Sequence, residues 1–270
     1  MGGVIFLETL RRSWRQIFYW GIGLFIWALY PFLMLPDMEA LDSYAELVED
    51  LPPALVSAIG MSSAAQFATP EGFIGYAYFG FLLLILSVFG VIAGLNVTAN
   101  EEEGGEMDIL LSTPVPRWRV IIEKLAAYSV MVVGITVIGH AGLMVGKAIA
   151  PVDFNITDGR LLEGSLNLIP GTLLVIAVTA FLGTLLRRRS TAMAAAGVFV
   201  VASYLLDLIG RAANTDVADV IRQVSLFAHY DGTNILSTGL VFGSVALLVG
   251  VAALLSGLAV RLFQQRDIAV

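Results

Sequence analysis

Long apolar runs alternate with short polar segments along this chain of 270 residues. Six runs are long enough to cross a membrane, because a helix needs about 20 apolar residues to span the bilayer core. They are residues 17–36, 72–98, 121–149, 167–186, 191–209 and 238–262. The pattern predicts an all-α integral membrane protein with six transmembrane helices, which form a single transmembrane domain over residues 1–270.

Two amphipathic segments flank the first run. Residues 4–15 place three arginines among apolar residues, which predicts an amphipathic N-terminal helix on the inner membrane surface. A disordered basic leader is the alternative for this segment. Residues 37–71 hold seven acidic residues and no basic one, and Leu41, Tyr44 and Val48 recur at helical spacing. We therefore expect a short helix resting on the outer surface, which a pair of prolines ends.

The basic residues predict the orientation, because lysine and arginine accumulate in cytoplasmic loops. With the amino terminus inside, eleven of the fifteen basic residues fall on the inner face. The inner face then carries a formal charge of +3 and the outer face −10, so the net charge of −7 combines two faces of opposite sign. We expect a multi-pass protein of the cell membrane with both termini in the cytoplasm.

Composition and motifs limit the kinds of functional site that we expect in this chain. Apolar residues make up 58% of it and charged residues 14%, and it has no cysteine. The two histidines, His140 and His229, belong to different depths, so we predict neither a catalytic site nor a metal site. The nearest approach to a phosphate loop, residues 142–148, is one residue short and lacks the hydroxyl group. We expect no enzyme activity in this chain by itself, no bound cofactor and no nucleic-acid partner.

The predicted inner loop between the second and third runs has the most distinctive sequence. Five acids cluster where acids contribute little to topology, and an apolar ridge and two prolines follow before a new helix starts. The residues that stand out are Glu101, Glu102, Glu103, Gly104, Glu106, Leu110, Leu111, Pro114 and Arg117. This predicts a helix–turn–helix knob that docks into a groove of a soluble partner. An ordinary solvated loop, whose acids pair with nearby arginines, is the alternative.

This loop resembles the corresponding segment of the ABC-2 type permease family. In that family an acidic, glycine-containing run and a leucine pair precede proline and arginine, and a lysine, here Lys124, opens the next span. Residues 68–73 and 225–232 are similar to the family's segments ahead of the second and last spans. Glu106 departs from the pattern, because the family more often has a small residue or threonine there.

The resemblance implies the transmembrane subunit of an ATP-driven ABC transporter, usually an exporter. Such a subunit pairs with a second permease copy or a related permease. Two separate ABC ATPase subunits bind beneath the pair and hold ATP and Mg²⁺. The acidic segment would be the cytoplasmic coupling helix between the second and third spans, which transmits closure of the ATPase to the spans.

Polar residues within the runs are further candidates. His140 is expected either to line a translocation path or to hydrogen-bond a neighbouring helix. Asn96 is expected either to contribute to that path or to cap the second helix. Asp207 lies near the outer end of the fifth run, where we expect it to reach water. Glycine pairs with four-residue spacing, which permit close helix packing or a dimer contact, are Gly90 with Gly94, Gly142 with Gly146, and Gly239 with Gly243.

Other classes of membrane protein stay open at this point. An intramembrane protease would need a nucleophile with a matched base, or paired metal ligands, and the sequence offers neither. An ATP-independent channel, secondary transporter or membrane scaffold is the main alternative. Secondary transporters usually contain broken spans with charges at the midplane, whereas these runs are largely uninterrupted.

Overall fold

The computed structural model describes residues 3–35, 39–61, 63–99, 116–186, 188–213 and 215–265. Helices are the only regular elements among these residues. Six of the helices are long and apolar enough to cross a membrane, and we number them as the first to sixth spans. They are Val4–Met34, Pro70–Val97, Arg117–Ile149, Asp158–Leu185, Arg189–Ala213 and Phe242–Gln265. The predicted all-α, six-span architecture is therefore confirmed.

Short helices occupy the two longer connections at the end of the bundle opposite the N-terminus. The connection between the first and second spans contains Glu39–Glu49, Pro53–Ala58 and Ala64–Phe67. The connection between the fifth and sixth spans contains Asp216–Arg222, Leu226–Tyr230 and Ile235–Thr238. We call the end of the bundle that carries residue 3 the N-terminal end, and the other the opposite end.

The helix predicted within residues 37–71 is present, but its apolar face does not rest on a membrane surface. Leu41 and Val48 are buried within the protein. The Tyr44 ring stacks on Phe73 with their centroids 6.0 Å apart, and it meets Phe67 edge to face at 6.2 Å. Aromatic pairs in these arrangements add stability beyond the area they bury. The helix therefore packs against the start of the second span.

The first span begins much earlier than the sequence pattern indicated. Residues 4–15 were expected to form a separate surface helix, but they are the first three turns of the continuous helix Val4–Met34. No proline or glycine interrupts this stretch before Gly21, so nothing breaks the helix between the basic and the apolar part. Ser13 is buried on the side that faces the rest of the bundle, which keeps the first turns in contact with the protein.

The fourth span also begins earlier, at Asp158 rather than at residue 167. The Thr157 hydroxyl accepts the backbone N–H of Arg160 at 3.4 Å and caps this helix. The sixth span begins later than expected, at Phe242. Gly239 has a φ of +75°, which ends the preceding short helix. In both cases a capping or turn residue sets the helix boundary, and this boundary differs from the start of the apolar run in the sequence.

The first and third spans run parallel and pack closely through glycine. A methyl group at Gly21 would lie 2.7 Å from Ile138, and one at Gly142 would lie 2.7 Å from the backbone of Phe25. Gly146 similarly faces the Phe32 ring. In each of these contacts the two residue numbers differ by nearly the same amount. Residue numbers therefore increase in the same direction along both helices, which makes the two spans parallel. The predicted packing role of Gly142 and Gly146 is confirmed, within one chain.

The second and fourth spans form another parallel pair. Methyl groups at Gly90 and Gly94 would approach Val175 at 2.9 Å and Thr179 at 2.5 Å. The third predicted glycine pair does not behave this way. Gly239 lies outside any helix, and Gly243 has open space around its α-carbon. The spacing of that pair was therefore misleading, because the two glycines do not share a helix.

The segment between the fifth and sixth spans, which was predicted to lie outside the membrane, folds back along the fifth span instead of extending away from the bundle. The Ser225 hydroxyl donates to the Ser203 carbonyl at 2.7 Å, and Ser203 lies ten residues before the end of the fifth span. At 1.5 Å of rise per residue, Ser225 is therefore roughly 15 Å below that end. The segment returns to the opposite end by Gly239, which contacts Arg160 and Glu163 near the start of the fourth span. It is a re-entrant segment, residues 215–241.

A glycine substitution tests the close packing of the first and third spans. Gly142→Ala should lower the thermal unfolding midpoint by several degrees, because overpacking against a backbone typically costs about 1–3 kcal/mol. Gly23→Ala in the first span is the matched control, since a methyl group at Gly23 would have nothing within 4 Å of it. The midpoint is measured by intrinsic tryptophan fluorescence of the purified protein. Equal midpoints for the two variants would contradict the packing described.

Candidate functional site

The predicted coupling segment falls mostly outside the described residues. Residues 101–115, which include Glu101, Glu102, Glu103, Gly104, Glu106, Leu110, Leu111 and Pro114, are not among them. Pro116 has an extended conformation, with φ −66° and ψ 137°, and Arg117 is the first residue of the third span. The helix start expected at Arg117 is therefore confirmed, and the coupling role of the segment stays a prediction.

Glu123 joins the start of the third span to the start of the first. Its carboxylate accepts the backbone N–H groups of Gly3, Ile5 and Phe6 at 3.0–3.1 Å. Arg119 donates to the same carboxylate at 2.6 Å. The free N–H groups at a helix start carry partial positive charge, so a carboxylate there is stabilising. The arrangement fixes the N-terminal end of the first span to the helix that leaves the acidic loop.

Lys124 is buried at the foot of the same loop. It is only 2% exposed, and its Nζ lies 3.4 Å from the Asn96 carbonyl in the last turn of the second span. Ammonium groups are buried only when they are paired or hydrogen-bonded. The contact therefore ties together the two spans that flank the acidic loop. The Asn96 side chain is half-buried at this junction, and its role in a translocation path stays a prediction.

His140 contacts a neighbouring helix. Its Nδ1 lies 3.0 Å from the Ser165 hydroxyl in the fourth span, and that hydroxyl donates to the Leu161 carbonyl at 2.9 Å. The Ser165 hydroxyl thus lies within hydrogen-bond distance of both His140 and the Leu161 carbonyl. The hydrogen bond joins the third and fourth spans. A role of His140 in a translocation path stays a prediction.

An ionic network connects the fifth span to the re-entrant segment. The Asp207 carboxylate pairs with Arg211 at 2.8 Å and with Arg222 at 2.7 Å. Arg211 also reaches Asp231 at 3.2 Å. Asp207 was expected to reach water, but its side chain is only 9% exposed. Two carboxylates and two guanidinium groups balance one another, which offsets the free-energy cost of burying charges at this depth.

The turn of the re-entrant segment is hydrogen-bonded to two spans. The Tyr230 hydroxyl donates to the Phe79 carbonyl at 2.8 Å, and the Asn167 side chain donates to the Tyr230 carbonyl. Phe79 ends a π-helical turn, Gly75–Phe79, within the second span. Tyr230 and Asn167 are both buried, where polar groups need such partners. The two hydrogen bonds therefore hold the turn against the second and fourth spans.

Asn234 extends this network to the first connection. It accepts from the Gln66 side chain at 2.7 Å and donates to the Gly60 carbonyl at 3.2 Å. A small cavity of about 60 Å³ adjoins the network between the second and fifth spans, with Tyr76, Tyr204 and Arg211 among its lining residues. A wider polar cleft of about 640 Å³ opens at the opposite end of the bundle. Both connections and three spans thus meet around one polar cluster.

Sequence reasoning found only part of this cluster. The four-residue spacing of Asp207 and Arg211 could have signalled an ion pair on one helix face. No local signal indicated that Arg222 or Asp231 would join them, because both belong to a segment placed outside the membrane. Tyr230 was noted only as part of a family-like stretch.

Nearly the whole chain matches a known protein family. A family model described as multidrug efflux system permease Rv1217c, C-terminal domain, matches residues 9–264. The chain belongs to this family. The match includes the re-entrant segment, the second to fifth spans and most of the first and sixth spans. No curated protein matches the chain at a significant level.

Membership in the efflux permease family agrees with the architecture. The chain is a membrane transport protein of the permease class, built from six apolar helices. Among the described residues, no group of three or more histidine, cysteine or acidic side chains is placed to hold a metal ion. The clusters that this permease does build are ion pairs and hydrogen bonds between helices.

Removing the central charge of the network tests its importance. Asp207→Asn should lower the thermal unfolding midpoint by about 5–10 °C, because two guanidinium groups then lose their buried anion at a cost of about 3 kcal/mol. Asp219→Asn, an exposed position of the Asp216–Arg222 helix, makes the same change as a control and should leave the midpoint unchanged. A similar midpoint for both variants would show that the network contributes little to stability.

Proposed function

We propose that this efflux permease is the transmembrane subunit of an ATP-driven ABC exporter of the ABC-2 type. Two copies, or this chain and a related permease, would form the translocation path. Two separate ABC ATPase subunits would bind ATP and Mg²⁺ and dock on the loop between the second and third spans. The observation that carries the proposal is the match of the permease family to residues 9–264, combined with the acidic, proline-ended sequence of that loop.

The flanks of the loop support a coupling role. Glu123 holds the start of the first span, and Lys124 contacts the end of the second. A force applied to the loop would therefore act on three spans directly. Packed side chains, hydrogen bonds and rigid helices of this kind can carry a conformational change between distant sites.

The second span offers a route from the loop to the opposite end. It packs along the fourth span through Gly90 and Gly94, and its π-helical turn accepts the Tyr230 hydroxyl of the re-entrant segment. π-helical turns inside α-helices frequently occur at functional sites. We propose that movement of the second span, driven from the loop, shifts the re-entrant segment and opens the path at that end.

The proposed orientation places the N-terminal end of the bundle in the cytoplasm of a cell whose plasma or inner membrane holds the protein. The basic residues support this orientation, because eleven of the fifteen then lie on the cytoplasmic face. The re-entrant segment then enters from the outer face. Its position there suits a gate at the exit of an exporter.

Charge reversal tests the docking of an ATPase. The variant with Glu102→Lys and Glu103→Lys should bind the ATPase subunit that copurifies with the unmodified chain at least about tenfold more weakly, because reversed charges at a docking surface repel. The matched control reverses two exposed acids, Glu46→Lys and Glu49→Lys, on the opposite end of the bundle. Association is measured by copurification, and coupling by substrate-stimulated ATP hydrolysis. Unchanged association and coupling in the first variant would refute the coupling role.

Cysteine labelling tests the orientation. The chain has no cysteine, so a single introduced thiol gives an unambiguous signal. A membrane-impermeant maleimide should label Ser43→Cys in intact cells, and should label Ser190→Cys only after the cells are opened. Both positions are exposed, at opposite ends of the bundle. Labelling of the Ser190→Cys variant in intact cells would reverse the proposed topology.

A further inference from the structure

One face of the first span is exposed along most of its length. Phe18, Ile22 and Ile26 lie on it, and their exposed fractions range from 48 to 61%. Their spacing follows the helical repeat of 3.6 residues per turn, so they form a single stripe. The contacts of Gly21 and Leu24 with the third span lie on the other side of the same helix. The exposed stripe therefore faces away from the bundle, as expected for a lipid-facing surface.

Two arginines continue this stripe toward the N-terminal end. Arg11 and Arg15 are four residues apart, and Arg15 is three residues before Phe18, so both lie on the same face as the apolar side chains. Both arginines are exposed, and neither forms an ion pair with a described residue. Trp14 lies beside them, with its ring centroid 5.9 Å from Arg15 Cζ. Two guanidinium groups are thus directed toward the surroundings of the protein.

Arg11, Trp14 and Arg15 lie at the depth expected for the headgroup region of one leaflet. The apolar stripe starts at Phe18, directly after Arg15, and tryptophan favours the boundary between hydrocarbon and water. Arginine side chains extend along apolar surface while their charged ends stay in the polar region. The guanidinium groups therefore reach the level at which lipid phosphates lie.

The chemistry of the group fits a phosphate. Guanidinium groups bind phosphate oxygens through paired hydrogen bonds, and two of them on one helix face can hold one phosphate from both sides. The three arginines of residues 4–15 outnumber the single acid, Glu8, so the local charge is positive. Glu123 fixes the start of this helix, which holds the arginines in place.

We propose that Arg11, Trp14 and Arg15 form a binding site for an anionic phospholipid. The two arginines hold the headgroup phosphate, Trp14 lies at the hydrocarbon boundary, and the acyl chains run along Phe18 and Ile22. A second copy of the chain is a poorer occupant of this face. In a two-fold contact centred here, the arginines of both copies would approach one another and repel.

Binding of phosphatidylglycerol to the purified full-length chain tests the site. The protein in detergent is titrated with phosphatidylglycerol or with phosphatidylcholine, and bound lipids are counted by native mass spectrometry. The unmodified chain should retain phosphatidylglycerol in preference to phosphatidylcholine. The variant with Arg11→Gln and Arg15→Gln should bind phosphatidylglycerol at least about tenfold more weakly, because two guanidinium contacts to the headgroup are lost.

A matched variant separates a site from a general effect of charge. Arg188→Gln with Arg189→Gln removes the same two charges from the same end of the bundle, at exposed positions where the fifth span begins. This control should keep the affinity for phosphatidylglycerol. Equal loss in both variants, or no loss in the first, would overturn the proposal. Conversion of dimers to monomers by Arg11→Gln and Arg15→Gln, with lipid binding unchanged, would assign the face to a second copy instead.

The unfolding midpoint provides a second readout that does not depend on transport. In vesicles of phosphatidylcholine, added phosphatidylglycerol should raise the midpoint of the unmodified chain, because a ligand that binds only the folded state stabilises it. The increase should disappear in the variant with Arg11→Gln and Arg15→Gln, and return in part with Arg11→Lys and Arg15→Lys. An increase of the same size in the glutamine variant would contradict the site.

Discussion

Backbone N–H and C=O groups that are shielded from water need partners inside the protein, and the buried turn of the re-entrant segment depends on this constraint. A chain that turns back within the bilayer leaves backbone groups without helical partners, at several kcal/mol each. Ser203 supplies its carbonyl to the Ser225 hydroxyl and its own hydroxyl to the N–H of Leu226 at 2.8 Å. Ser225 in turn caps Phe227. Two serines thus supply the partners that this buried turn needs.

The same constraint explains why charges lie within the fifth span. Asp207 sits on the buried face of that helix and neutralises guanidinium groups from its own helix and from the re-entrant segment. The Asp216–Arg222 helix can therefore fold back along the span while its Arg222 stays paired. Gly210 makes room for this return, because a methyl group there would lie 2.8 Å from Arg222 Cβ. Ser203, Asp207 and Gly210 lie on one face of the fifth span, and together they hold the returning segment against it.

Close helix packing connects these local features to the rest of the molecule. The parallel pairing of the first with the third span and of the second with the fourth rests on glycines that face backbone or bulky side chains. Such contacts replace the hydrophobic effect, which provides little attraction between helices in lipid. The second and third spans, which flank the acidic loop in the sequence, therefore belong to different packed pairs, and the re-entrant segment contacts the second, fourth and fifth spans at the opposite end. This arrangement suits a protein in which events at one face must be felt at the other.

The sequence alone determined the class of the protein, the number of spans and the start of the third span. Hydropathy over about 20 residues is a local property, and so is the effect of a proline, which disfavours a helical conformation in the residue before it and thus marks a helix boundary. The tertiary structure decided the length of the first span, the packing partners of the glycines and the path of residues 215–241. A polar segment looks extramembrane by composition. Only its contacts with Ser203, Asp207, Phe79 and Asn167, which are distant in sequence, fold it back against the spans.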